Sequence, residues 1–203
     1  MKTAALTMIA AVLGLTGAGA GAQESPWQLR ARAVHIDTAN HADPVGGIGA
    51  ADRIHVSNKT IPELDISYFF TPQLAAELIL TYPQKHAVRL DGTRIGSLRH
   101  LPPTLTLQYH FAPGQALRPY VGAGVNYTRL SRVRLLDGAG GLENDSWGLA
   151  AQAGVDFRIA PQWSLNVDIK KVQIRSDVFV GGARASAVKV DPLLLGIGVG
   201  YRF

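Results

Sequence analysis

The last eleven positions, residues 193–203, constrain the fold more than any other part of the chain. Counting back in twos from Phe203 gives Tyr201, Val199, Ile197, Leu195 and Leu193. The positions between them are Arg202, Gly200, Gly198, Gly196 and Leu194. This is a period-two strand with one continuous apolar face and an aromatic end. In a water-soluble sheet such a strand is an aggregation hazard. A closed barrel in a lipid bilayer uses it, because the outer face must be apolar and the final strand must pair with the first.

The opposite end carries a targeting pattern. Met1-Lys2-Thr3 is a short basic start, Ala4 to Leu15 is apolar except for Thr7, and Ala20-Gly21-Ala22 is a small-x-small cleavage pattern. Residues 1–22 are therefore expected to be a secretory signal peptide, with the barrel over residues 23–203. Their apolar run is shorter than the ~20 residues a spanning helix needs. The sequence has no Cys, so disulfides and thiolate metal sites are excluded. Mean hydropathy is +0.09, as in many soluble chains. Alternation in a barrel conceals apolar content from a hydropathy window. The net charge of +5 would ordinarily suggest nucleic acid, but an exported chain does not meet it.

Eight period-two segments fall at about 27–37, 61–70, 74–82, 101–111, 119–128, 147–159, 163–171 and 193–203. Each has the length a tilted strand needs to cross a membrane. The connections alternate. Short, Pro-containing turns follow the second, fourth and sixth segments, and long loops, about 38–60, 83–100, 129–146 and 172–190, follow the odd ones. That layout predicts an all-β, eight-stranded antiparallel transmembrane barrel in a Gram-negative outer membrane, with both termini periplasmic. Trp27, Phe70, Phe111, Tyr120, Phe157, Trp163, Tyr201 and Phe203 are expected in one interfacial aromatic girdle, and Tyr82, Tyr127 and Trp147 in the other.

The inward face is where function would lie. It collects Arg30, Arg32, Arg158, Lys170 and Arg202 against Glu63, Asp65, Glu77, Asp156 and Asp168. Buried charges persist when paired, so an ionic network across the lumen is expected. It either fills the bore or lines a narrow conduit, since eight strands leave room for side chains or one small ligand. Gly122, Gly124, Gly148, Gly154, Gly196, Gly198 and Gly200 also point inward, leaving a wall of bare backbone for long Arg side chains or a passage. Val34, Ile36, Ile79 and Leu194 are the candidate apolar lining. No metal-ligand spacing, cofactor motif or Gly-x-Ser-x-Gly is present. His55 and Ser57 have the spacing of a lipid-deacylating dyad but sit in a loop-like context. The second long connection is basic, with Lys85, Arg89, Arg94 and Arg99 against Asp91 plus His86 and His100, which suits contact with anionic lipopolysaccharide.

Several stretches carry a family resemblance. They are Asn58-Lys-Thr-Ile-Pro-Glu-Leu-Asp65, Phe69-Phe-Thr-Pro72, Ala76-Glu-Leu-Ile-Leu-Thr-Tyr-Pro83, His100-Leu-Pro-Pro-Thr-Leu-Thr-Leu-Gln-Tyr-His-Phe111 and Arg118-Pro-Tyr-Val-Gly-Ala-Gly-Val-Asn-Tyr-Thr128. Asp145-Ser-Trp-Gly-Leu-Ala-Ala-Gln-Ala-Gly-Val-Asp156, Asp191-Pro192 and the Gly-Tyr-Arg-Phe203 ending complete the set. Through these stretches the chain resembles the OmpW family. The resemblance implies an eight-stranded outer-membrane barrel that passes small, mostly hydrophobic molecules from an extracellular funnel sideways into the membrane. It also implies bacteriocin contact in some members, and assembly-machinery recognition of the C-terminal strand through Tyr201 and Phe203. The expectation is a conduit for small hydrophobic or amphipathic solutes, without catalysis or cofactor. The alternative is a plugged barrel whose long loops contact lipopolysaccharide or a partner. An apolar lining is expected to be incomplete, because the seventh segment turns Ser164, Asn166, Asp168 and Lys170 inward.

Overall fold

The computed structural model describes residues 25–39, 41–44, 50–135, 140–142, 145–180 and 183–203. The expected signal peptide lies outside the described residues. The strands are β1 (Trp27–Asp37), β2 (His41–Ala42), β3 (Ile54–Val56), β4 (Lys59–Phe69), β5 (Leu74–Leu80), β6 (Gln84–Leu90), β7 (Thr93–Leu101) and β8 (Thr104–His110). They continue with β9 (Leu117–Leu135), β10 (Gly140–Leu142), β11 (Asp145–Arg158), β12 (Trp163–Val172), β13 (Arg175–Val180), β14 (Ala183–Lys189) and β15 (Leu193–Arg202).

Eight of these close into an antiparallel barrel in the order β1-β4-β5-β8-β9-β11-β12-β15. The last strand returns to the first, from Gln28↔Arg202 to Asp37↔Leu193. Closure leaves no free edge, so the backbone of the wall is satisfied without water. The described ends meet at the short-turn rim, where the Ser25 amide donates to the Phe203 carbonyl at 2.7 Å.

Burial runs inside out. Ile197 is 64% exposed and Leu149 63%, whereas Arg30, Glu77 and Asn166 inside are 0% exposed. A soluble protein would invert this order, because apolar side chains gain from leaving water. Here lipid is the outer solvent. Trp27, Phe70, Phe111 and Phe157 ring the short-turn rim, while Tyr82 and Trp147 lie exposed at the other. Tyr120 departs from its expected place in the girdle. It follows Pro119 on the inward phase of β9 and is 1% exposed in the lumen.

The long connections also differ from the expectation of loops. They carry strand pairs that raise the wall into a crown. β6 and β7 form a hairpin around Asp91-Gly92, whose φ values of 49° and 79° suit a two-residue primed turn. β3 pairs with β6, β7 with the upper part of β9, and β13 with β14. β9 extends to Leu135 because β7 and β10 give its upper half partners.

Candidate functional site

The lumen has two levels. The lower one is an ionic plug. Arg30, from β1, donates through Nη2 to Asp156 Oδ2 at 2.6 Å and through Nε to Asp156 Oδ1 at 3.2 Å. Its Nη1 donates to Ser67 Oγ at 3.0 Å and pairs with Glu77. Two residues on, and so on the same face, Arg32 is ringed by carboxylates. Its guanidinium lies 2.6 Å from Asp65, 3.2 Å from Glu63, 3.2 Å from Glu77 and 3.3 Å from Asp168. Lys170 Nζ donates to Glu63 Oε1 at 3.0 Å. Neutral groups take up further acceptor positions: Tyr120 donates to Asp168 Oδ2 at 2.8 Å, Asn166 to Asp156 Oδ1 at 2.9 Å and Gln152 to Glu77 Oε1 at 3.0 Å.

Of the ten charged residues expected to face inward, eight meet in this plug. The other two lie elsewhere. Arg158 is half-buried near the short-turn end of β11 and makes no ion pair among the described residues. Arg202 donates through Nε to the Ser25 carbonyl at 3.1 Å, and its guanidinium lies 4.0 Å from the centre of the Phe69 ring. Below the plug, the His110 ring sits 5.0 Å from both Phe69 and Tyr120. This stack narrows the short-turn half of the lumen.

The glycine wall is occupied. A Cβ on Gly198 would lie 2.1 Å from the Ala31 carbonyl oxygen, and one on Gly200 would lie 2.9 Å from Gln28 Nε2. The backbone of the paired strand approaches closely at Gly198, and long side chains such as Gln28, Arg32, Tyr120 and Gln152 lie over the surface that the glycines leave bare, so these side chains fill the bore.

Above the plug lies a cavity walled by the crown and the upper ends of the barrel strands. Ile36, Ile79 and Leu194 line it. Val34 packs with Ile36, Ile61 and Leu194 at its base and is absent from the lining itself. Most of the apolar wall comes from the crown and the tops of the barrel strands: Ile54, Val56, Val88, Ile95, Val172, Ile174, Val178 and Val190. Sequence reasoning missed these because their segments read as loops. The signals were present in the Ile54-His55-Val56 alternation and in Asp91-Gly92 between Val88-Arg89-Leu90 and Thr93-Arg94-Ile95. The floor is polar, formed by Glu63 and Lys170.

His55 and Ser57 are exposed in the crown, away from this cavity. The Ser57 hydroxyl accepts the Ala87 amide at 3.3 Å, and His55 has no hydrogen bond to a carboxylate among the described residues. Nearby, the Arg53 guanidinium holds the Asp91 carboxyl below the usual carboxylate range. No cluster suited to a metal ion occurs among the described residues. Arg89 and Arg94 are exposed, while the side chains of Lys85, His86, Arg99 and His100 lie outside the description.

The OmpW family model matches residues 23–203. The chain is 41% identical over 192 residues to the uncharacterized outer-membrane protein y4mB of Sinorhizobium fredii, covering 91% of this chain and 83% of that one. It is 31% identical to outer membrane protein W of Escherichia coli, with both chains covered in full. It is 28% identical to the dibenzothiophene metabolism operon protein PahQ of Pseudomonas aeruginosa, over 90% of each chain. Among solved structures, the crystal structure of outer membrane protein OprG from Pseudomonas aeruginosa superposes with a TM-score of 0.77 at 26% identity, covering 89% of this chain and 97% of that one.

Proposed function

Because the chain belongs to the OmpW family of Gram-negative outer-membrane barrels, we propose that it admits small hydrophobic or amphipathic molecules at the crown and releases them sideways into the membrane. The observation that carries this reading is the apolar cavity walled by the crown and floored by a network of paired charges. An apolar solute gains about 25 cal/mol per Å² on leaving water for such a lining. It gains nothing by crossing the plug, where it would separate buried ion pairs.

A side exit has a candidate seam. Pairing between β5 and β8 ends at Ile79↔Thr104, and pairing between β4 and β5 ends at Leu64↔Leu80. Beyond it stand Pro83, Pro102 and Pro103, which have no amide hydrogen to extend a ladder. Ile79, Thr81, Pro102 and Thr104 all line the cavity at this seam. The name of the relative PahQ, tied to dibenzothiophene metabolism, supports a fused-ring aromatic molecule as the kind of solute carried. In this reading residues 1–22 are removed on export, both termini face the periplasm, and Tyr201 and Phe203 present the final strand to the assembly machinery.

The test is hydrocarbon uptake by cells whose outer membrane contains the protein. Ile79→Asp places a charge in the apolar lining, and uptake is expected to fall about tenfold or more, given the cost of burying an unpaired carboxylate. An unchanged rate removes Ile79 from the path. Restoring amides with Pro102→Ala and Pro103→Ala is expected to slow release without abolishing occupancy of the cavity.

A second reading draws on the plug: the barrel as a rigid mount for surface contacts. Exposed Arg129, Lys171, Arg175 and Lys189 stand at the long-loop rim, where anionic lipopolysaccharide head groups would attract them. Uptake equal to that of cells lacking the protein would favour it.

A further inference from the structure

The floor of the cavity contains an arrangement that a purely hydrocarbon site does not need. Glu63 and Lys170 are paired there at 3.0 Å, with their side chains almost wholly buried. Thr81 completes the arc. It follows Leu80, the last β5 residue paired with β4, so the register sets it opposite Glu63. Its other register neighbour is Pro102, two steps past Ile79↔Thr104. That neighbour has no N–H.

The polar lining atoms around it are engaged. Thr104 Oγ1 accepts from Asn126 Nδ2 at 2.8 Å and donates to the Pro102 carbonyl at 3.3 Å. Thr38 Oγ1 donates to the Val56 carbonyl at 2.7 Å. Thr81 Oγ1 differs: among the described lining residues it is the buried side-chain polar atom without a hydrogen-bond partner. A buried hydroxyl left unmade is costly, and a Thr side chain turns about one bond to meet a partner.

We propose that Lys170, Glu63 and Thr81 form a polar seat. It makes the cavity prefer apolar solutes with one uncharged hydrogen-bonding group, such as a phenol, alcohol or ketone, over hydrocarbons of the same size. This rests on the reading of the cavity as a solute site. The neutral group meets the free Thr81 hydroxyl beside an ion pair that both donates and accepts. An ionised carboxylate is disfavoured. It meets Lys170, but also Glu63, and Asp168 lies 3.8 Å from the same ammonium. Like charge at that range opposes it in a site shielded from water.

The test uses the full barrel in lipid nanodiscs with methyl-labelled isoleucine, titrated with naphthalene, 1-naphthol and 1-naphthoate. Shifts of the Ile36 and Ile79 methyls report occupancy, corrected for partition into empty nanodiscs. 1-Naphthol is expected to bind about three- to tenfold more tightly than naphthalene, the worth of one hydrogen bond, and 1-naphthoate most weakly. Thr81→Val keeps the shape of the side chain and removes the hydroxyl. It is expected to erase the naphthol advantage and leave naphthalene binding unchanged, whereas Thr81→Ser keeps the advantage. If naphthalene binds and naphthol has no advantage, or if Thr81→Val leaves that advantage intact, the polar seat is overturned and the cavity reading stands. If none of the three probes moves the methyls, the cavity reading falls, and the seat with it.

Discussion

Arg32 shows how one side chain holds an interior together. It sits within 3.3 Å of Asp65, Glu63, Glu77 and Asp168, so replacing it removes a cation that four buried carboxylates share and leaves Asp65 with no ion pair among the described residues. Arg32→Met is therefore expected to cost about 3–5 kcal/mol, the penalty for breaking a buried pair from one side. Arg158→Met, at a half-buried position outside the network, is expected to stay within about 0.5 kcal/mol of the parent. Urea unfolding in lipid vesicles measures both, and equal midpoints for the two variants would remove Arg32 from its central place. The sequence already put both arginines on the inward phase. It did not separate them, because alternation gives the face of a residue and says nothing of which strand lies across the bore. Tyr120 makes the same point, being read as a girdle aromatic from its height on the barrel when its phase sends it inside to Asp168.

At the scale of elements, the crown hairpins decide whether the barrel holds a cavity. β6 and β7 contribute Val88 and Ile95 to the lining, and their register depends on the turn at Asp91-Gly92. Gly92 has φ 79°, a left-handed value that a β-branched residue strongly resists. Gly92→Val is expected to add about 1–3 kcal/mol of local strain. Amide exchange should quicken across β6 and β7 while the barrel melts as before, and unaltered exchange in the hairpin would contradict this. The Arg53–Asp91 pair supports the same turn. The Asp91 pKa is depressed in the fold by the hydrogen bond from Arg53 and by its charge. Its contribution is therefore present at neutral pH and is lost as pH falls through the lowered value. Acidification and Asp91→Asn should loosen the pairing of β3 with β6 alike, read from the Asp91 amide that donates to the Arg53 carbonyl.

For the whole molecule, the axis is closed although the wall is continuous. Charges at mid-lumen form a network of ion pairs across the bore, the His110 stack lies beneath them, and neighbouring side chains cover the glycine wall. The reconstituted barrel is expected to show no steady ionic conductance in planar bilayers. A constant open-pore current would mean that the plug moves aside. The cylinder and its outer face were determined by the sequence alone, because side-chain direction in a strand alternates locally, so Leu193 to Phe203 shows its lipid face without reference to any other strand. The inward set of charges was equally legible, since it occupies the complementary phase. Only the tertiary structure decided how those charges pair, because Arg30 and Asp156 are 126 positions apart and meet through ring closure. It alone made the cavity, whose lining gathers short apolar runs from β3, β6, β7 and β13. Each of those runs is too brief to declare a buried face until its neighbours cover it.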